Sequence, residues 1–89
     1  MITIEKQVPS GFQEFDNSGH FANVVGPYYF RELPAGDFRY VFCTEARHAN
    51  PNGVTHGGAL FSFADQIVGH TIVQTQKRMC ATLKFKVNY

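Results

Sequence analysis

Apolar and polar positions follow readable periods in three stretches of the chain. From Gly26 onward, Pro27-Tyr-Tyr-Phe-Arg-Glu-Leu33 is rich in aromatic residues, and Pro34-Ala-Gly-Asp37 is a turn cluster. Phe38 to Glu45 then alternates Phe38, Tyr40 and Phe42 against Arg39, Val41 and Cys43. Two strands joined by a short turn predict a hairpin. A helix is expected after Gly58, because at 100° per residue Leu60, Phe61, Phe63, Ala64, Ile67, Val68 and Ile72 fall on one wide apolar arc that should bury against a sheet. Past Met79 the period returns to two, with Ala81, Leu83, Phe85 and Val87 facing opposite to Thr82, Lys84, Lys86 and Asn88, as in a half-buried antiparallel strand. Residues 1–25 show no sustained period, and no element is assigned there. Between hairpin and helix, Arg47 to Gly58 is punctuated by Asn50-Pro51 and Asn52-Gly53 and reads as an ordered loop.

Composition bounds this picture. The chain has 89 residues, enough for one domain over 1–89. With 44% apolar and 17% charged residues it is not a disordered tail. Nine Phe and four Tyr supply large side chains for a small core or an apolar ligand pocket. A net charge of +1 argues against partnership with nucleic acid or an acidic membrane surface. The charge is unevenly spread, however: residues 66–89 hold Lys77, Arg78, Lys84 and Lys86 with no acid. That makes a local positive end, suited to a phosphate-bearing ligand or to balancing acids from neighbouring structure. Cys43 and Cys80 are too few for a disulfide framework and read as free thiols. There is no secretory pattern at the start, and the most apolar window, Ala59 to Val73, is broken by Asp65, Gln66 and His70. A soluble cytoplasmic protein is expected.

The junction of loop and helix is where chemistry is expected. His56-Gly57-Gly58 opens the helix, and a helix N-terminus presents backbone N–H groups and positive potential to an anion or a polarised carbonyl oxygen. Glycines let a ligand atom approach that backbone. Asp65 follows seven residues after Gly58, about 10 Å along the axis, at the margin of the apolar arc and beside a strip of small residues, Gly58, Ser62 and Gly69. An oxyanion-binding helix start with a carboxylate fits attack on an activated acyl group. On spacing alone, a plain turn into a helix with a solvated carboxylate accounts for the same residues. His48 and His56, with Cys43 or Asp65, do not have the spacing of a compact zinc site, and no metal is expected. Ser62 lacks a nucleophile elbow, Cys80 has no base near it in sequence, and His70, across the helix from Asp65, is read as structural.

The run His48-Ala-Asn50-Pro-Asn-Gly53-Val-Thr-His56-Gly57-Gly58, followed by Asp65, resembles the hotdog-fold acyl-CoA thioesterases, in particular the phenylacetate-degradation branch. The resemblance covers the chain from about Gly26 to Tyr89. It implies an α+β fold in which a long central helix packs on a curved antiparallel sheet, and a dimer, or dimer of dimers, with acyl-CoA sites across the interface. It assigns Asp65 as nucleophile or general base, Gly57 as the backbone donor to the thioester carbonyl, and Asn50 as a residue positioning or polarising that oxygen. His56 supports the loop and the leaving thiolate, and Thr82 helps to hold water. Asn50 and His56 would come from one subunit and Asp65 and Thr82 from the other. Gly58, Ser62, Phe61 and Lys84 are expected to contact substrate. No separate cofactor is implied, since coenzyme A arrives as part of the substrate.

The family pattern has further strands after the one that contains Thr82. The chain is therefore expected to be a hotdog domain lacking its C-terminal strands, with its surplus of aromatic side chains serving surfaces that await missing partners. A non-catalytic acyl-binding or assembly domain is the alternative. A dehydratase is disfavoured by the Asn50-Pro51 and His56-Gly57-Gly58 run.

Overall fold

A computed structural model describes residues 2–5, 7–15, 19–77 and 86, with side chains for 7–15, 21–77 and 86. In chain order the elements are β1 (Ile2–Glu5), β2 (Gln13–Glu14), α1 (Gly19–Val25), β3 (Tyr28–Glu32), β4 (Phe38–Cys43), a 3-10 turn (Ala46–His48) and α2 (Gly57–Gln76). The hairpin forms as its pattern predicts: β3 and β4 pair antiparallel from Tyr28 opposite Phe42 to Glu32 opposite Phe38. Its turn is closed by Leu33 N–H to Asp37 O at 2.7 Å and Gly36 N–H to Leu33 O at 2.9 Å.

The sheet has the order β1-β4-β3-β2. Strand β3 pairs antiparallel with both β2 and β4, but β1 joins the free edge of β4 in parallel. The sheet is thus not wholly antiparallel as expected, because the long connection from β1 to β4 leaves strand direction unconstrained, unlike a tight hairpin. Strand β4 therefore runs inside the sheet. Tyr40, Val41 and Phe42 are all buried, but Tyr40 and Phe42 join the core cluster with Phe63 and Ile67 of the long helix while Val41 does not, so the predicted alternation holds and Val41 is buried apart from that core.

Helix α2 lies on this sheet through Phe63 and Ile67, its two buried residues. Only the middle of the predicted apolar arc is covered: Val68 and Ile72 are exposed, and Leu60, Phe61 and Ala64 are half-buried. The helix ends at Lys77, whose left-handed backbone (φ 55°) turns the chain and whose N–H closes on Val73 O at 2.9 Å. A cation there complements the helix dipole, which offsets part of the cost of a left-handed non-glycine residue.

The core is aromatic and has two halves. Tyr28, Phe42 and Phe63 meet with ring centroids 5.0–5.3 Å apart at the α2 start. Farther along α2, the imidazole of His70 is surrounded by Phe15, Phe30, Phe38 and Tyr40 at 4.5–5.6 Å. Most of the aromatic surplus is thus consumed inside the chain's own core. Apart from Lys86, which is exposed, the strand expected over 81–88 lies outside the described residues. No helix among the described residues is long and apolar enough to cross a membrane.

Candidate functional site

The loop between β4 and α2 is fixed at both ends by histidines. His56 N–H donates to His48 O at 2.7 Å, and Ala49 and Thr55 form an isolated bridge, so residues 48–56 close into a ring of backbone. Inside it, Asn50 Oδ1 accepts from Asn52 N–H (2.9 Å) and Val54 N–H (3.3 Å), while Asn50 N–H donates to Val54 O at 2.7 Å. The oxygen of the Asn50 amide is therefore spent on the loop, which leaves Nδ2 as its donor for other work.

His48 is the root of the loop and is buried. Its Nδ1 accepts the Glu45 N–H at 2.8 Å, which fixes the ring proton on Nε2. That Nε2–H faces Val25 O at 2.8 Å and Gly26 O at 3.2 Å. The neighbouring Arg47 guanidinium donates to Val24 O and Gly26 O and pairs with Glu45 at 3.1 Å. Two adjacent side chains thus hold three consecutive carbonyls at the C-terminal end of α1, which those groups would otherwise leave unsatisfied. Gly26 is required at this join, since a Cβ there would lie 2.7 Å from Ala22 O.

His56 is the N-cap of α2. Its Nδ1 accepts the Gly58 N–H at 2.7 Å, and its carbonyl accepts from Ala59 (2.9 Å) and Leu60 (3.2 Å). Three of the first four N–H groups of the helix are therefore taken up by His56. Gly58 admits the imidazole: a Cβ there would stand 3.0 Å from Nδ1. Ser62 Oγ donates back to Gly58 O at 2.9 Å.

Between α1, the 3-10 turn and the start of α2 lies a cleft of about 440 Å³, lined by Val24 and Val25, Arg47 to Ala49, and His56, Gly58, Ala59 and Ser62. Of the residues expected to act, His56, Gly58 and Ser62 share this cleft. Asn50, Gly57, Phe61 and Asp65 are not in its lining. Asp65, half-buried, stands about 10 Å beyond Gly58 along α2, so one chain does not bring the carboxylate and the His56 cap onto one bond. Thr82 and Lys84 lie outside the described residues. Among the described residues, no three His, Cys, Asp or Glu side chains converge as metal ligands would.

Two participants, Arg47 and Tyr28, have no signal in the sequence, while His70, expected to be structural, packs among the core aromatics. Arg47 shows its role only once α1 exists to receive it. Tyr28 reads as a strand aromatic, yet its hydroxyl is buried without a hydrogen-bond partner among the described residues, and burial pushes its pKa up to about 12 against the opposing charge of Arg47. His70 bonds the Tyr40 hydroxyl through Nδ1 at 2.9 Å, and burial lowers its pKa.

The chain is 29% identical over 65 residues to a Pseudomonas aeruginosa protein named as a candidate esterase. The matched region is 73% of this chain and 48% of that protein, so the chain spans about half the length of the curated relative it matches. No family model matches, and no solved structure matches.

Proposed function

We propose that the chain carries the helix-start half of an acyl-CoA thioester hydrolase site, completed by a second copy. The observation that carries this reading is the cleft where a backbone-closed loop delivers His56 beside Gly58 at the start of α2. Likeness to a protein named as a candidate esterase supports hydrolysis of an ester-type bond, and the His48-to-Gly58 run supports a thioester.

In this mechanism the thioester carbonyl oxygen points at Gly57 N–H, with Asn50 Nδ2 as a second donor, so negative charge developing in the tetrahedral intermediate meets oriented dipoles. Asp65 of the other copy attacks the carbonyl carbon or takes a proton from the attacking water, with Thr82 holding that water. The tetrahedral intermediate collapses with cleavage of the carbon–sulfur bond, the thiolate leaves past His56, and the acyl group departs as the free acid, either directly when water attacked or after water hydrolyses the anhydride formed on Asp65. Gly58 and Ser62 offer a wall without bulk, Phe61 contacts substrate, and Lys84 meets coenzyme A phosphate. The division of the site between two copies is what the family resemblance implies, and on that reading a monomer is inactive.

The test is release of free thiol from a panel of acyl-CoA esters. Asp65→Asn is expected to lower kcat by at least about a hundredfold. Activity retained in that variant removes Asp65 from the mechanism. The engagement of His56 Nδ1 by Gly58 favours one alternative, an acyl-binding domain without turnover, which predicts saturable acyl-CoA binding and no thiol release from any ester.

A further inference from the structure

Helix α1 is short and faces outward. It buries Ala22, while Phe21 and Val24 are 66% and 67% exposed. Val24 and Val25 line the cleft, and Phe21 stands three and four residues before them, which makes it their neighbour on the helix surface. The apolar wall of the cleft therefore continues onto the outside of α1 as one stripe. Isolated exposed apolar residues are ordinary, but a stripe that runs out of an apolar cleft is not.

The cleft volume bears on what the stripe meets. About 440 Å³ holds roughly fifteen water-sized groups. That accommodates the reacting thioester with part of either the thiol arm or the acyl chain, and not both in full. His56, Gly58 and Ser62 stand at the α2 end of the lining and Val24 and Val25 at the α1 end, so hydrocarbon that enters the cleft from the start of α2 meets the apolar wall of α1.

Resting on the thioester reading above, we propose that Phe21 and Val24 form an external track for the acyl tail and make the site selective for long-chain acyl thioesters. The tail leaves the cleft past Val24 and lies across Phe21, half-covered rather than enclosed. Phe21 and Val24 are specificity-determining residues and take no part in the chemistry.

The experiment compares the full chain with the Phe21→Ser variant, whose substitution sits at an exposed position outside the cleft lining. Two quantities are measured along a butanoyl, octanoyl and tetradecanoyl series: kcat/KM for the CoA thioesters, and Kd for their non-hydrolysable thioether analogues. Half-covering each methylene gives the wild type about a twofold gain per carbon between octanoyl and tetradecanoyl. Phe21→Ser is expected to lose about tenfold for tetradecanoyl and to keep butanoyl unchanged. Chain-length dependence in analogue binding without turnover of any ester supports the track and overturns the hydrolase reading. Equal losses for butanoyl and tetradecanoyl, or no binding of any analogue, overturn the track. Unchanged tail affinity with loss of a dimer in sedimentation also overturns it and assigns the stripe to a second copy.

Discussion

At the scale of single residues, His56 combines two duties that can be separated. Its imidazole caps α2 through Nδ1, and its ring stands in the cleft where a leaving group would pass. Losing a cap costs about 1 kcal/mol, while Asn, among the best capping residues, can accept the same N–H. His56→Ala is therefore expected to lower stability by about 1 kcal/mol, and His56→Asn to restore most of it, as read from urea midpoints. If the ring also serves the leaving thiolate, His56→Asn still loses about tenfold or more in thiol release, because an amide neither donates nor accepts a proton as imidazole does. Full activity in the Asn variant would reduce His56 to a cap. Gly58 belongs to the same unit: the close approach a Cβ would make to Nδ1 explains why the second glycine follows the histidine, whatever the ligand.

At the scale of elements, the join between the Arg47–His48 pair and α1 sets one wall of the cleft. Seven residues are too few for a helix to persist on its own, and α1 buries little, so its position depends on what holds its C-terminal carbonyls. The guanidinium is half-exposed, which discounts the usual worth of a charged hydrogen bond. Arg47→Ala is expected to cost about 1 to 2 kcal/mol and to raise amide exchange in α1 before it does so in α2. Arg47→Lys should recover less than half, since an ammonium cannot fork onto Val24 O and Gly26 O together. Uniform exchange changes across both helices would show that the join is not local. This element also shows where legibility stopped. The hairpin and α2 announce themselves by period, and the loop by its Asn, Pro and Gly positions. Helix α1 does not, because with Ala22 as its main buried residue it has no apolar face to repeat. Strand β2 spans two residues, and β1 owes its place to an edge of β4 rather than to any pattern of its own. Of the site, His56, Gly58 and Ser62 could be placed together from spacing along one helix. Arg47 and the Tyr28 hydroxyl could not, since both depend on contacts between distant segments.

At the scale of the whole molecule, His70 joins the layers. From α2 it reaches Phe15 after β2, Phe30 on β3, and Phe38 and Tyr40 on β4, so a single imidazole touches every described antiparallel part of the sheet. The Tyr40 hydroxyl bonds both His70 Nδ1 and Thr71 Oγ1, at 2.9 and 2.6 Å, and burial raises its pKa, so Tyr40 stays neutral across the range where His70 titrates. Burial lowers the His70 pKa from its ordinary 6.5. The folded protein therefore holds the neutral ring while the unfolded chain takes up a proton. Above pH 6.5 both states are neutral at this position, and it makes no pH-dependent contribution. As pH falls below 6.5 the unfolded state binds more protons, so stability declines until the depressed folded value is reached, where the loss levels off. His70→Asn keeps a polar partner for Tyr40 and removes the titration. The expected result is that wild-type Tm falls relative to His70→Asn as pH drops below 6.5, with a constant difference above it. Titrations elsewhere cancel in that comparison. A difference that stays flat through this range would mean that the aromatic rings around His70 stabilise the imidazolium by as much as burial disfavours it, and one that grows in favour of the wild type on acidification would mean that they do so by more.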